Sequence, residues 1–339
     1  MLRQLIYSFM RQDYPNKELV ISDDSPNDSL ATLLGQFEDP RLIYTKNQAT
    51  LGFARNLRQA ITLAEGEYLM FMGDDDLFLS RDAISQYAAT FDSNPSVFYV
   101  NCNKAQFSSD MAIESLYRCF PRDALFAPGL PSMVGIWTTS IVIAGIGLRN
   151  TPNLAEYYPD TDYLFPQVQC VGHVINHADS YGLAATLIGV RAHPDQLGFH
   201  AIRGERITGT ERHGTLELFT ILARLQKRYM LAESADFLAR DLINSYKTNL
   251  LKEKLIVGKQ LVRTNYRNFC TMSPLARKSN QLRLYYWMSQ LVPAPVLRLL
   301  RGLYILLVRS RNRQSFAVLQ RELVALSAPE DVGLGHGFT

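Results

Sequence analysis

Three consecutive carboxylates, Asp74-Asp75-Asp76, follow Gly73 at the end of an apolar run from Tyr68 to Met72. A short apolar run that stops at a glycine reads as a buried strand. Three acids at a strand end repel one another unless positive charge sits among them. Oxygen-only ligands suit a hard divalent cation, Mg²⁺ or Mn²⁺, which can also hold a diphosphate. In an open α/β sheet, ligands bind beyond the carboxyl ends of the strands, where this turn lies. The same residues also suit a solvated turn before the next helix, whose start Ser80 marks ahead of Asp82 and Ala83.

The neighbouring elements set the context. Leu2, Leu5, Ile6 and Phe9 recur at helical spacing, and Asp13-Tyr14-Pro15-Asn16 ends that helix. Leu19-Val20-Ile21 is a short strand running into a second acidic turn, Ser22-Asp23-Asp24-Ser25-Pro26-Asn27-Asp28. Leu42-Ile43-Tyr44 is a further strand. Gly52 to Ala64 is a helix with Ala54, Leu57, Ile61 and Ala64 on one face, Asp82 to Phe91 is another, and Val97 to Val100 is a strand. Strands alternating with helices predict an α/β fold with a mostly parallel sheet flanked by helices.

Two acidic turns at strand ends in one α/β unit are more specific than either alone. Gln12-x-Tyr14-Pro15-Asn16-x-Glu18-Leu19-Val20-Ile21-Ser22-Asp23-Asp24-Ser25, then Gly52-x-Ala54-Arg55-Asn56, then Gly66-Glu67-Tyr68 leading into Gly73-Asp74-Asp75-Asp76, resemble in order and spacing the successive motifs of family 2 glycosyltransferases of the GT-A fold. The resemblance spans residues 1–200. It implies a nucleotide-diphosphate sugar donor (a UDP-sugar in the first instance), Mn²⁺ or Mg²⁺, and inversion at the anomeric carbon. Family members open with an extra strand ahead of the first helix, whereas Met1 stands at the helix itself. Either the start lies upstream of Met1, or the chain is an N-terminally truncated, inactive relative whose sheet has exposed strand edges.

The resemblance assigns roles. Asp23 or Asp24 would accept hydrogen bonds from the base or ribose, although aspartates in turns also bond their own backbone. Arg55 could reach the nucleotide with its fork of donors. Spacing alone makes Asp74 and Asp76 a metal pair. Alignment with the family pattern puts Gly73 at the first acidic position instead, with Asp75 as direct ligand, Asp74 nearer the ribose and Asp76 in support; this second assignment is the one preferred. In Glu156-Tyr157-Tyr158-Pro159-Asp160-Thr161-Asp162 the family's acid-acid-x-acid motif has proline at its first position. Asp160 is the expected catalytic base that takes the acceptor hydroxyl's proton, with Asp162 behind it; acids at a helix start are also favoured by the helix dipole. Ala184 to Val190 is a strand ending in Arg191-Ala192-His193, which resembles the segment closing the family's catalytic domain. There Arg191 would clamp the diphosphate and His193 would touch metal or diphosphate. Trp137 is expected in the core, within the apolar stretch from Ser132 to Ile143.

From residue 201 strand signals vanish and Leu, Ala, Arg and Lys dominate. The division is a GT-A-like domain over 1–200 and a helical region over 201–339. Within the latter, Val296 to Arg313 is an apolar helix with internal arginines and a basic end. Too short and too charged to span, it would lie on an anionic membrane as a peripheral contact or pack against the catalytic domain.

Composition bounds the class. The chain has 339 residues, is 47% apolar, and carries a net charge of +3, too little to indicate nucleic acid. Four cysteines with no Cys-x-x-Cys spacing suit a reducing compartment, and no leader or membrane-spanning segment is visible. The expectation is a glycosyltransferase on the cytoplasmic side, adding one sugar to a glycan or lipid-linked acceptor in cell-surface polysaccharide synthesis. The rivals are a non-catalytic nucleotide-sugar- or glycan-binding relative, and a nucleotidyltransferase, which should carry a basic Gly-rich loop near its start that this sequence does not show.

Overall fold

A computed structural model describes residues 1–158, 164–192, 214–229 and 235–329. The opening helix α1 (Leu2–Met10) buries Leu2, Leu5, Ile6 and Phe9, the face that the spacing predicted. The strands β1 (Leu19–Asp23) and β2 (Leu42–Lys46) flank α2 (Ser29–Leu34) and pair in parallel, Leu19 opposite Leu42 through Asp23 opposite Lys46. Helix α3 (Phe53–Leu63) then leads to β3 (Tyr68–Phe71), the two-residue β4 (Leu77–Phe78) and α4 (Ala83–Ser93).

The long strand β5 (Val97–Phe107) is almost continuously buried. It is followed by β6 (Ile113–Tyr117), β7 (Ala124–Phe126), α5 (Leu130–Gly135), β8 (Ile146–Arg149), α6 (Pro166–Val174) and β9 (Asp179–Arg191). These strands form a seven-stranded sheet in the order β3-β8-β5-β9-β4, with β6 beside β5 and β7 beside β9. The α/β class holds, with one difference from expectation: the sheet is mixed. Only β1–β2 and β5–β9 are parallel; β3–β8, β8–β5, β5–β6, β9–β4 and β9–β7 are antiparallel. Parallel neighbours need a long crossover between them, and β6 follows its partner β5 too closely for one.

Side chains alternate across β3. Leu69 and Phe71 enter one core cluster with Tyr99, Trp137, Leu148 and Val171, while Tyr68 and Met70 pack on the other with Leu5, Phe9, Tyr87 and Phe91. Trp137 is 1% exposed and its indole N–H donates to the Val168 carbonyl at 3.1 Å, as a core residue should.

The later helices are α7 (Gly214–Tyr229), α8 (Ala235–Met272, kinked at Gly258), α9 (Pro274–Lys278), α10 (Asn280–Leu291), α11 (Ala294–Arg311) and α12 (Arg313–Ser327). A helical C-terminal region is as predicted, but residue 200 does not separate two cores. Leu218, Ile221, Leu222 and Leu225 of α7 and Leu238 and Leu242 of α8 complete the cluster on one sheet face. From α12, Phe316 and Leu323 enter the cluster on the other face, and Arg11 Nη1 donates to the carbonyls of Leu326 and Ala328.

Sheet edges bear on the site. β1–β2 is its own two-stranded sheet and β3 ends the larger one, with no strand between them among the described residues. The starts of β1 and β3 are nevertheless tied, because Glu18 Oε1 accepts from the amides of Glu65 and Gly66 at 2.7 and 2.9 Å. Both strands also pack one face into the same core. Their acidic turns therefore leave the same end of the molecule.

Candidate functional site

The turn after β1 is built inward from its two carboxylates. Asp23 is 3% exposed. Its Oδ1 accepts from the amide and hydroxyl of Ser25, and its Oδ2 from Tyr44 Oη at 2.9 Å and Lys46 Nζ at 3.2 Å. Burial alone would raise this carboxyl's pKa, but these donors outweigh it and hold it below the usual range. Lys46 Nζ also donates to the carbonyls of Ser25 and Asn27, so one ammonium cinches the whole turn.

Asp24 organises the next loop. Its Oδ1 accepts from Asn47 Nδ2 at 3.0 Å and the Leu51 amide at 2.7 Å, and its Oδ2 from the Gly52 amide at 2.9 Å. Gly52 adopts φ +81° immediately before α3, a conformation that favours glycine. Asn56 ties α3 to β1, accepting from Ser22 Oγ and Asn47 Nδ2 and donating to the Ser22 carbonyl. Against this frame a cavity of about 250 Å³ is lined by Thr50, Leu51, Gly52, Ala54 and Arg55. The amides at the start of a helix and an arginine at its rim favour an anion there.

The turn after β3 closes tightly, with the Asp76 amide donating to the Gly73 carbonyl at 3.2 Å and the Gly73 amide donating to Asp76 Oδ2 at 3.3 Å. Asp74 is exposed, Asp75 half-buried and Asp76 buried. A Cβ on Gly73 would sit 2.5 Å from Asp76 Oδ2 and 2.9 Å from Asp75 Oδ1. Two carboxylate oxygens thus converge on the space that only a glycine leaves open. Burial first, and the charge of Asp75 second, push the Asp76 carboxyl up to about 7.

Behind this turn lies Arg191, 7% exposed. Its amide donates to Asp76 Oδ1 at 3.0 Å, its Nε to the Asp75 carbonyl at 3.0 Å and its Nη2 to Gln4 Oε1 at 2.7 Å. The guanidinium also stacks over Phe107, 4.6 Å from the ring centre.

Residues 1–131, which hold both acidic turns, match the family model described as "Glycosyl transferase family 2". Over those residues the chain is similar to family 2 glycosyltransferases. Among curated proteins, a protein of Escherichia coli K12 named for glycosyl transfer in colanic acid biosynthesis, WcaA, is 40% identical over 73 residues, 21% of this chain and 26% of that protein. The UDP-Glc:alpha-D-GlcNAc-diphosphoundecaprenol beta-1,3-glucosyltransferase WfaP of Escherichia coli is 31% identical over 81 residues, 24% of this chain and 32% of that one. The matches therefore span between a quarter and a third of these relatives' lengths. Among solved structures, that of S. aureus TarS 1-349 in complex with UDP is similar with a TM-score of 0.55 and 14% identity, covering 96% of this chain and 85% of that one. That likeness extends through the C-terminal helices and identifies the fold as GT-A.

The predicted residues divide into groups. Asp74, Asp75 and Asp76 share one turn, and Asp23, Asp24 and Arg55 surround the neighbouring loops. Asp23 and Asp24 spend their carboxylates on the protein's own donors, the turn-building role weighed for them from sequence. Arg191, expected to clamp a diphosphate, is instead buried behind the acidic turn and braces it. Asp160, Asp162 and His193 lie outside the described residues. The sequence reading passed over Lys46 and Asn47; an abrupt Lys-Asn pair ending the apolar run of β2 was the available signal.

Proposed function

We propose that this chain transfers a sugar, with inversion, from a nucleotide-diphosphate donor, a UDP-sugar in the first instance, to a glycan or lipid-linked acceptor. The observation that carries the reading is the pair of carboxylate oxygens, Asp75 Oδ1 and Asp76 Oδ2, converging above Gly73 at the same end of the molecule as the Asp24-organised loop. The activities named for relatives such as WfaP, with a UDP-linked donor and a diphosphoundecaprenol acceptor, support the substrate class.

The residues fit a divalent cation. Two hard carboxylates are present, and no cluster of three or more His, Cys, Asp or Glu groups occurs among the described residues. The remaining positions suit donor phosphates and water, as is common for Mg²⁺ and Mn²⁺. When bound, such an ion offsets the charge that builds on the departing nucleoside diphosphate. Asp75 and Asp76 would hold it, and Asp74 would reach toward the ribose. The loop at Leu51–Arg55 would take an anionic part of the donor, while Lys46 and Arg191 keep the two turns in place. On the family resemblance, Asp160 accepts the acceptor hydroxyl's proton as that oxygen attacks in line.

Screening nucleotide sugars for binding and hydrolysis with Mn²⁺ or Mg²⁺ tests the reading. Binding of at least one donor is expected, and Asp160→Asn should retain that binding while transfer stops. Failure of every nucleotide sugar to bind would refute it.

A further inference from the structure

The helix α11 (Ala294–Arg311) is held at two points. Leu297 is 5% exposed, and Val308 packs on the core beside Phe316 and Leu319. Most of its other described side chains are exposed. Val296, Leu299, Leu300, Leu303 and Leu307, spaced i, i+3, i+4, i+7 and i+11, make one apolar stripe on the side away from Leu297. Each of the five is between 43% and 64% exposed. Arg298 and Arg301 are also exposed and fall on the opposite face of the helix, while the exposed Arg311 lies beside the stripe. On α10, Trp287 at 52% and Leu291 at 73% are exposed apolar side chains as well.

Charge is segregated to the same region. Residues 254–321 contain 13 lysines and arginines and no aspartate or glutamate. The remaining 22 basic and 32 acidic residues give the rest of the chain a net charge of −10. No described helix is long and apolar enough to cross a membrane.

We propose that the outward face of α11, with Trp287 and Leu291 of α10, docks on an anionic lipid surface, the helix lying in the plane of the headgroups. The stripe would enter the acyl boundary, Arg311 beside it would extend along its stem to lipid phosphates, and Arg298 and Arg301 would add positive charge on the polar face. A second copy of the chain is a poor occupant, because pairing two such faces brings basic surface against basic surface. Nucleic acid is a poor one too, because it would leave the exposed aliphatic stripe in water. The proposal stands apart from the donor reading, since none of these residues belongs to the acidic turns. If the acceptor is lipid-linked, docking brings the enzyme to it.

The test is co-sedimentation of the full chain with vesicles of phosphatidylcholine alone and with about 30% phosphatidylglycerol. Pelleting with the anionic vesicles at least about tenfold tighter than with the neutral ones is expected, weakening with salt. Leu303→Glu with Leu307→Glu should weaken it by about tenfold or more, and Arg301→Gln with Arg311→Gln should reduce the preference for anionic lipid. These side chains are exposed, so the thermal midpoint should stay within a few degrees, and unchanged donor binding reports an intact fold. As an independent readout, Trp287 emission should shift to the blue on anionic vesicles and the shift should vanish in Trp287→Phe. Vesicle binding that ignores both double variants overturns the proposal. So does a dimer that Leu303→Glu dissociates, or tighter binding to nucleic acid than to anionic vesicles.

Discussion

Arg191 Nε donates to the carbonyl oxygen of Asp75 at 3.0 Å, from the buried side of the acidic turn. With the Arg191 amide on Asp76 Oδ1, the last residue of β9 holds both candidate metal-binding residues by atoms that a ligand does not need. Arg191 is thus a positioning residue. Replacing it with methionine keeps the packing on Phe107 and removes the bonds to Asp75 and Gln4. The expected cost is about 2–4 kcal/mol of stability, read by denaturant unfolding, with weaker Mn²⁺-dependent donor binding in the fraction that remains folded.

Gly73→Ala probes the convergence of carboxylates directly. A methyl group there meets Asp76 Oδ2 at 2.5 Å and Asp75 Oδ1 at 2.9 Å, so one or both must swing away. Metal-dependent donor affinity should fall at least about tenfold, or about 1.4 kcal/mol. Titration calorimetry with and without Mn²⁺ measures it.

Asp24→Ala leaves the amides of Leu51 and Gly52 and the side chain of Asn47 without their acceptor. The loop leading into α3 is half-buried, so water can replace part of the loss. A destabilisation of about 1–2 kcal/mol is expected, together with a raised Kd for the donor whether or not metal is present. An effect seen only with metal would place Asp24 at the cation instead.

Two buried groups predict opposite pH dependences. His173 Nδ1 lies 2.6 Å from Tyr229 Oη, and burial lowers its pKa from 6.5 to about 4. The unfolded chain takes up that proton first, so this contribution to stability is complete above pH 6.5 and is lost as pH falls toward 4. His173→Phe should flatten the thermal midpoint across that window. Asp76 is the reverse case, raised from 3.8 to about 7. Its contribution is complete below 3.8 and is lost as pH rises through 7, so Asp76→Asn should stabilise the cation-free protein at pH 8 and do little at pH 4.

Much of the frame was legible because it is local. The periodicity of Leu2, Leu5, Ile6 and Phe9 specifies the buried face of α1, and an apolar run halted at Gly73 specifies β3 and the turn beyond it. What was not legible depends on distant partners. The pairing of Tyr68 with Arg149, which makes β3–β8 antiparallel, leaves no local trace in either strand. Nor does the spacing of Phe316 and Leu323 reveal that α12 returns to pack on α1. Arg191 was read from sequence as a diphosphate clamp, and sequence carries no sign of which side of the acidic turn its guanidinium occupies.

On the proposed function, Asp75 and Asp76 hold a cation that tethers the donor's diphosphate. Calorimetric titration of the screened nucleotide sugar into the wild-type chain and into Asp75→Ala, each with Mn²⁺ and with chelator, tests it most directly. Binding by the wild type with Mn²⁺ alone, and loss of that binding in Asp75→Ala, is the predicted result. Equal affinity in chelator, or in Asp75→Ala, would contradict it.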